Sequence, residues 1–327
     1  MSSIASLGVL EALVFLVFNI KYRIQKTMKM SSPNLNSLIL VGSILVYLSV
    51  ISAGVDSHLI ASEEIRGDLC VVRVWFLSVG FVLAFGSMFS KTWRVHKVTA
   101  FKTAKRIIIT DKDLFLLVLI LLIIDVAVLT IWQIVDPLSV EVQDLPIQDD
   151  PAVPNQRISR YIEECSCSYM LYWLLTLCGY KGLLLIFGAF LAWEIRKVKI
   201  GALNDSKLIA ISIYNVTILC IVGVAVSFLV ADDPAVLHTF TSSIVVFCTS
   251  ITLLIVFLPK MISVYKYPEG EPISTMPKST LSTSDTQITD SSQLSDLNQT
   301  IVSLKDQVRE LETQLRERGE VQIHNGI

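Results

Sequence analysis

Three cysteines beside long apolar stretches are the residues of this chain best placed to form a covalent bond. Cys70 lies at the start of the third apolar stretch, and Cys165 and Cys167 precede the fifth. In an oxidising compartment, thiols at such positions form disulfides. Because Cys70 can reach the loop before the fifth stretch, either Cys165 or Cys167 would supply the second sulfur and pin that loop.

Lys91 and Asp205 are predicted to lie at the ends of two spans on the same side of a membrane. An ion pair between them would hold the two ends together and could break on activation. Near the surface such a pair contributes only about 0–1 kcal/mol, enough to bias a two-state switch. The alternative interpretation is a snorkelling lysine and a carboxylate that caps a helix N-terminus.

Three ionisable residues lie in the middle of apolar stretches: Glu11, Asp125 and Lys181. Charged groups at that depth are costly, so they are usually paired or face water. Asp125 and Lys181 are predicted to lie at similar depth, and we therefore expect them to pair or to share an internal polar network. Glu11 could compete for Lys181, and Lys181 could instead bind a lipid headgroup.

The sequence contains no pattern typical of an enzyme or a metal centre. It has no glycine-rich phosphate loop and no His-Glu-x-x-His motif, and the pair Cys165-Ser-Cys167 is too tightly spaced for a zinc site. We therefore expect no catalytic residues, no metal and no cofactor.

The composition is typical of a membrane protein. The chain has 327 residues, of which 53% are hydrophobic and only 17% are charged. Its mean hydropathy is +0.62. A soluble domain of this size would need more polar residues to cover its surface.

Seven apolar stretches are long enough to cross a bilayer as helices. They are about Ile4–Ile20, Leu35–Val55, Leu69–His96, Leu114–Val135, Tyr169–Trp193, Leu208–Val230 and Leu237–Leu258. The first could also be a signal peptide, but basic residues follow it rather than precede it. Basic and acidic loops alternate, which predicts an extracellular N-terminus and a cytoplasmic C-terminus. The predicted fold is an all-α seven-transmembrane helix bundle over residues 1–260.

The C-terminal region has a different composition. Residues 261–292 are rich in Ser, Thr and Pro and are predicted to be a disordered linker, and residues 319–327 a disordered tail. Between them, residues 293–318 repeat apolar side chains every three and four positions. These are Leu294, Leu297, Ile301, Leu304, Val308, Leu311 and Leu315. The spacing predicts a coiled-coil helix that pairs with a partner strand, and a lone amphipathic helix is the alternative.

Several stretches resemble the class C G-protein-coupled receptors, and among them the GABA type B receptors, with their subunit 2 forms most similar. The stretches are Lys29–Asn36, Gly86–His96, Ile131–Leu138, Tyr180–Leu185, Ala202–Lys207 and Phe257–Lys260. They extend from the first predicted cytosolic loop to the end of the seventh span. The coiled coil then follows where this family carries one.

The resemblance implies roles for individual residues. Cys70 and Cys165 match the family's outer disulfide, and Lys91 and Asp205 match its ionic lock. The remaining matches are Arg94, Asn204 and Lys207 for G-protein coupling, and Tyr214 and Asn215 for a dimer interface on helix six. The coiled coil would pair with a subunit 1-like chain.

The resemblance implies a receptor signalling subunit in the plasma membrane, including the membrane at synapses. It would form a heterodimer with a GABA type B receptor subunit 1-like chain and activate inhibitory Gi/o proteins. Only Met1–Ser3 precede the first span in this sequence, so we expect the family's outer ligand-binding domain to be missing, and we expect no GABA binding. The alternative is a truncated, non-signalling partner for assembly or trafficking.

The resemblance also allows a phospholipid in the helix bundle. Glu11 and Ala231 depart from the residue types that the family carries at these positions. The departures speak against a lipid-headgroup site at the outer mouth of the bundle.

Overall fold

The computed structural model describes ten ranges of the chain, all within the unit Met1–Ser274. They are residues 1–25, 28–29, 31–54, 63–100, 111–144, 148–149, 157–158, 161–196, 204–229 and 234–266. The predicted coiled coil and tail, and the predicted linker beyond residue 266, lie outside these ranges.

Long helices dominate the described residues. They are α1 (Ser2–Lys21), α2 (Pro33–Ala53), α3 (Glu63–Ala100), α4 (Asp111–Val135), α5 (Met170–Ile195), α6 (Asn204–Leu229) and α7 (Pro234–Lys266). Each of these seven is long and apolar enough to cross a membrane. Helices suit that setting because they satisfy every backbone hydrogen bond within the segment. The predicted seven-helix bundle is therefore confirmed.

The seventh helix is longer than predicted. We expected the span and the bundle to end near Pro259 and residue 260, but α7 continues through Pro259 to Lys266. Proline removes one backbone hydrogen bond, yet transmembrane helices tolerate it because neighbouring groups satisfy the freed carbonyl. The first residues of the predicted linker are consequently helical.

The segment between α4 and α5 contains strands that the all-α prediction omitted. They are β1 (Ser139–Asp144), β2 (Gln148–Asp149), β3 (Arg157–Ile158) and β4 (Tyr161–Ser166). Strands β1 and β4 pair antiparallel, with Val140 opposite Cys165, and β2 pairs antiparallel with β3. The β1–β4 ladder is thus a hairpin that starts beside the end of α4 and returns to the start of α5.

Helix α3 is the centre of the bundle, because it contacts α2, α4, α5 and α6. Its closest neighbour is α2. A Cβ atom on Gly42 would lie 2.5 Å from the backbone nitrogen of Ala84 and 2.6 Å from the carbonyl oxygen of Gly80. The two backbones can approach this closely only because both crossing positions are glycine.

The length of α3 separates two polar regions. Cys70 lies near its start and Lys91 near its end, and a helix rises about 30 Å over that interval, the thickness of a hydrocarbon core. We call the end of the bundle with Cys70, Asp136 and Cys165 the disulfide end. We call the end with Lys91 and Lys260 the lysine end.

Candidate functional site: a buried lysine cage at one end of the bundle

Five polar residues converge at the lysine end, and we call them the lysine cage: Ser31, Asn36, Lys91, Asp205 and Lys260. Lys91 belongs to α3 and Lys260 to α7, whereas Asp205 lies in the first turn of α6. A carboxylate in a first turn is favourable because it faces the positive end of the helix dipole. The cage therefore ties together segments that are far apart in the sequence.

The chain reaches the cage from α1 through a tight turn. Ser32 adopts a left-handed backbone conformation, with φ of 52°, which is uncommon for residues other than glycine. Pro33 follows at the start of α2, where its missing N–H is not needed. The turn brings the hydroxyl of Ser31 to 3.2 Å from the side-chain amide nitrogen of Asn36.

Asp205 has two cationic partners at unequal distances. Its Oδ1 lies 2.8 Å from Lys260 Nζ, whereas its Oδ2 lies 3.9 Å from Lys91 Nζ. The hydroxyl of Ser31 donates a hydrogen bond of 2.6 Å to Oδ2. Lys260 is thus the nearer cation, although the sequence pattern had singled out Lys91.

The amide oxygen of Asn36 holds both ammonium groups in place. It accepts hydrogen bonds from Lys91 and, at 3.3 Å, from Lys260. Lys260 also donates to Ser31 Oγ at 2.9 Å. The Asn36 amide nitrogen donates to the side-chain oxygen of Asn19, which extends the network to α1.

Burial differs sharply within the cage. The side chains of Lys91 and Lys260 are 4% and 6% exposed, whereas that of Asp205 is 26% exposed. Burial alone would raise the pKa of Asp205, but the cations of Lys260 and Lys91 dominate and lower it to about 2. Asp205 is therefore ionised at neutral pH and is the member of the cage nearest to solvent.

The position of Lys91 corrects part of the sequence interpretation. We expected Lys91 to end its helix near the surface, but α3 continues to Ala100 and the lysine is buried. It is therefore not a snorkelling lysine, because its ammonium group lies against Asn36 and Asp205 inside the bundle. The pattern missed Lys260 because, next to Pro259, it looked like the end of a span.

The residues expected to contact a G protein lie around the cage in different ways. Arg94 forms an ion pair with Asp111 at 3.0 Å, which joins α3 to the first turn of α4. Ser32 Oγ donates to the same Asp111 carboxylate at 3.0 Å. Lys207 is exposed on α6. The side chain of Asn204 lies outside the described part of the structure.

A second polar cluster, the intramembrane triad, lies in the middle of the bundle and consists of Ser78, Asp125 and Lys181. Asp125 is fully buried, and its Oδ1 lies 3.2 Å from Lys181 Nζ. Ser78 Oγ donates to the Asp125 carboxylate and accepts a 2.5 Å hydrogen bond from Lys181. The triad joins α3, α4 and α5. Glu11 does not take part in it, because its carboxylate lies beside Ser250.

At the disulfide end, Cys70 and Cys165 form a disulfide, and Cys167 is a free thiol. The bond attaches β4 of the hairpin to α3. Asp136, just after α4, accepts hydrogen bonds from the backbone nitrogens of Ser168 and Tyr169, at 3.1 and 2.8 Å. Burial would raise the pKa of Asp136, but these N–H groups lower it. Both contacts therefore anchor the base of the hairpin, where the chain leaves α4 and enters α5.

The two residues expected at a dimer interface are placed differently. Asn215 Nδ2 donates to Thr252 Oγ1 at 3.2 Å and to the carbonyl oxygen of Cys248 at 3.4 Å, and both acceptors belong to α7. In this single chain Asn215 is thus directed at a neighbouring helix rather than away from the bundle. Tyr214 is half-buried. The coiled-coil residues lie outside the described ranges.

Comparison with known proteins decides the family. Residues 1–260 match the family described as "7 transmembrane sweet-taste receptor of 3 GCPR". The chain belongs to the class C G-protein-coupled receptors. In this class C receptor chain the match extends from α1 into α7 and ends at Lys260, in the lysine cage.

Similar curated proteins narrow the resemblance. The chain is 46% identical to human gamma-aminobutyric acid type B receptor subunit 2 over 270 residues, 83% of this chain and 29% of that protein. It is 41% identical to the Caenorhabditis elegans subunit 2, over 83% of this chain and 32% of that protein. It is 36% identical to the rat subunit 1, over 80% of this chain and 27% of that protein. This class C receptor chain therefore resembles the transmembrane region of subunit 2, and spans about a third of its relatives' length.

Proposed function

We propose that this chain is the signalling subunit of a GABA type B-like receptor, which activates an inhibitory Gi/o protein and binds no GABA itself. The observation that carries the proposal is the lysine cage, in which one carboxylate on α6 contacts α3, α7 and the turn before α2. An arrangement of that kind can switch between a closed and an open state. The greater similarity to subunit 2 than to subunit 1 supports the assignment.

Two independent features support a cytoplasmic lysine end. The loops that follow the first, third and fifth spans are basic, as cytoplasmic loops are. At the opposite end, Cys70 and Cys165 form a disulfide, which persists only in an oxidising environment. Both support the proposal that the N-terminus lies outside and the C-terminus in the cytoplasm of a plasma membrane.

The cage strongly stabilises the closed state relative to the open state. Since both lysines are almost fully buried, removing one partner of the ion pair costs about 3–5 kcal/mol, more than the 0–1 kcal/mol of a surface pair. Opening therefore needs energy from elsewhere, such as the movement of a partner subunit or the binding of a G protein. In this proposal the Lys260–Asp205 contact is the main part of the ionic lock.

A partner subunit would deliver that movement. We infer that the chain pairs with a subunit 1-like chain through the coiled coil at 293–318 and through α6. Helix α6 presents a row of exposed apolar side chains that includes Ile211, Ile218 and Ile221. The row lies beside Tyr214, whereas Asn215 would have to turn away from α7 to reach a partner.

The coupling surface can be tested by charge reversal. We expect Lys207→Glu to reduce GTPγS binding by a Gi/o protein at least tenfold when the chain is coexpressed with a subunit 1-like chain. Surface expression should be unchanged, because Lys207 is exposed. The matched control is Glu141→Lys, a charge reversal at an exposed position near the disulfide end.

The same experiment separates signalling from assembly. Full GTPγS binding by Lys207→Glu would contradict the coupling surface. If the unmodified chain raises the surface level of the subunit 1-like chain but never stimulates GTPγS binding, it is an assembly or trafficking partner instead.

A further inference from the structure

We propose that the lysine cage is a carboxylate-binding site, which Asp205 occupies in the closed state and an acidic group of the cytoplasmic partner occupies in the open state. The inference rests on the proposed function, because it takes the lysine end to face the cytoplasm. It adds a ligand chemistry to the cage: one carboxylate held by two lysines and a serine.

The cage holds more basic groups than acidic ones. Lys91 and Lys260 bring two positive charges, and Asp205 brings one negative charge. A neighbouring pair, Arg94 and Asp111, is balanced within itself. The cage therefore holds two basic side chains for one carboxylate when Asp205 is inside, and two with no carboxylate when it leaves.

None of the three groups that donate to the Asp205 carboxylate belongs to α6. Ser31 Oγ and the ammonium groups of Lys91 and Lys260 lie 2.6, 3.9 and 2.8 Å from the Asp205 oxygens. Ser31 belongs to the turn before α2, Lys91 to α3 and Lys260 to α7. If α6 withdraws Asp205, the donor set stays in place, oriented by the buried Asn36.

Access to the cage leads past Asp205. Its side chain is 26% exposed, whereas those of the two lysines are 4% and 6% exposed. Asp205 therefore covers the lysines from the solvent side. Its departure would uncover two desolvated ammonium groups, which are strongly destabilising without a counter-ion. A carboxylate arriving from the same side would restore the lost interaction.

The test is chemical rescue of a chain without the native carboxylate. Asp205→Gly is purified in lipid nanodiscs, and its thermal unfolding midpoint is measured against sodium acetate, sodium chloride and acetamide. We expect acetate alone to raise the midpoint saturably, by about 3–6 °C at ten times its dissociation constant. Unmodified chain should not respond, because Asp205 fills the cage.

Matched variants make the result specific. Adding Lys260→Gln to Asp205→Gly should abolish the acetate response, whereas adding Glu141→Lys should leave it intact. If Asp205→Gly folds only in acetate-containing buffer, that recovery is itself the rescue. Equal responses to chloride, acetamide and acetate would overturn the proposal, as would a response that survives Lys260→Gln. A tighter response to phosphate than to acetate would overturn the carboxylate assignment.

A second measurement tests the partner. In Asp205→Gly, saturating acetate should lower receptor-stimulated GTPγS binding by a Gi/o protein at least threefold, because acetate competes with the partner's carboxylate. Acetamide should not. Rescue of stability without this competition would overturn the partner step alone. Loss of coupling in Lys207→Glu is a separate outcome, so failure of the proposed function can be told apart from failure of the cage.

Discussion

Lys181 Nζ lies 3.2 Å from Asp125 Oδ1, and this ion pair joins α5 to α4 in the middle of the bundle. Ser78 bonds both groups and adds α3 to the contact. The pair satisfies the two ionisable residues that the sequence places deepest in these helices. Because Asp125 is fully buried, neither charge can be stable there alone.

We expect either single replacement of this pair to be strongly destabilising. Asp125→Asn leaves the lysine unpaired and Lys181→Met leaves the aspartate unpaired, so each should cost about 3–5 kcal/mol in unfolding free energy. The double variant removes both charges and should recover part of the loss. Thermal unfolding in detergent measures this. A double variant no more stable than the worse single variant would exclude the pair.

The stability of the chain should depend on pH through Asp205. Its pKa in the folded chain is about 2, below the ordinary value of 3.8. A group with a lowered pKa stabilises the fold fully above its ordinary value, and this contribution disappears as the pH falls through the folded pKa. We expect the thermal midpoint to drop as the pH falls from about 4 to about 2. The drop should be smaller in Asp205→Asn, and an equal drop would contradict the buried ion pair.

The disulfide at the hairpin should be stabilising, and only one of the two candidate cysteines should matter. Cys165→Ser breaks the bond to Cys70 and should cost about 2–4 kcal/mol, because the cross-link closes a long loop. Cys167→Ser is the matched control, since Cys167 is free and burial raises the pKa of its thiol. Thermal unfolding without reductant should separate them. Equal losses would indicate that Cys167 takes part in the bond.

The crossing of α2 and α3 should tolerate no side chain at Gly42. A Cβ atom there would lie 2.5 Å from the Ala84 backbone nitrogen, so Gly42→Ala must push the helices apart and should cost about 1–3 kcal/mol. Gly179→Ala is the control, because apart from its own helix backbone no atom lies within 4 Å of its Cβ position. It should be neutral or slightly stabilising, since alanine favours helix. The unfolding midpoints of the two variants measure the difference.

The sequence by itself determined the number, order and class of the spans. Hydropathy is a property of consecutive residues, and any apolar stretch of about 20 residues in a bilayer must become a helix. It also predicted that Asp125 and Lys181 lie at similar depth and can pair, because position along a helix gives depth in the membrane. Both arguments need only distance along the chain.

The tertiary structure decided which side chains meet. Rotation of each helix about its axis is set by packing, which made Lys260 the nearer partner of Asp205 and directed Asn215 at α7. It also buried Lys91, because α3 lies at the centre of the bundle and extends to Ala100. The physical reason is that the depth of a residue in the membrane follows from its position in the sequence. The direction in which its side chain points depends instead on the helices that pack around it on folding.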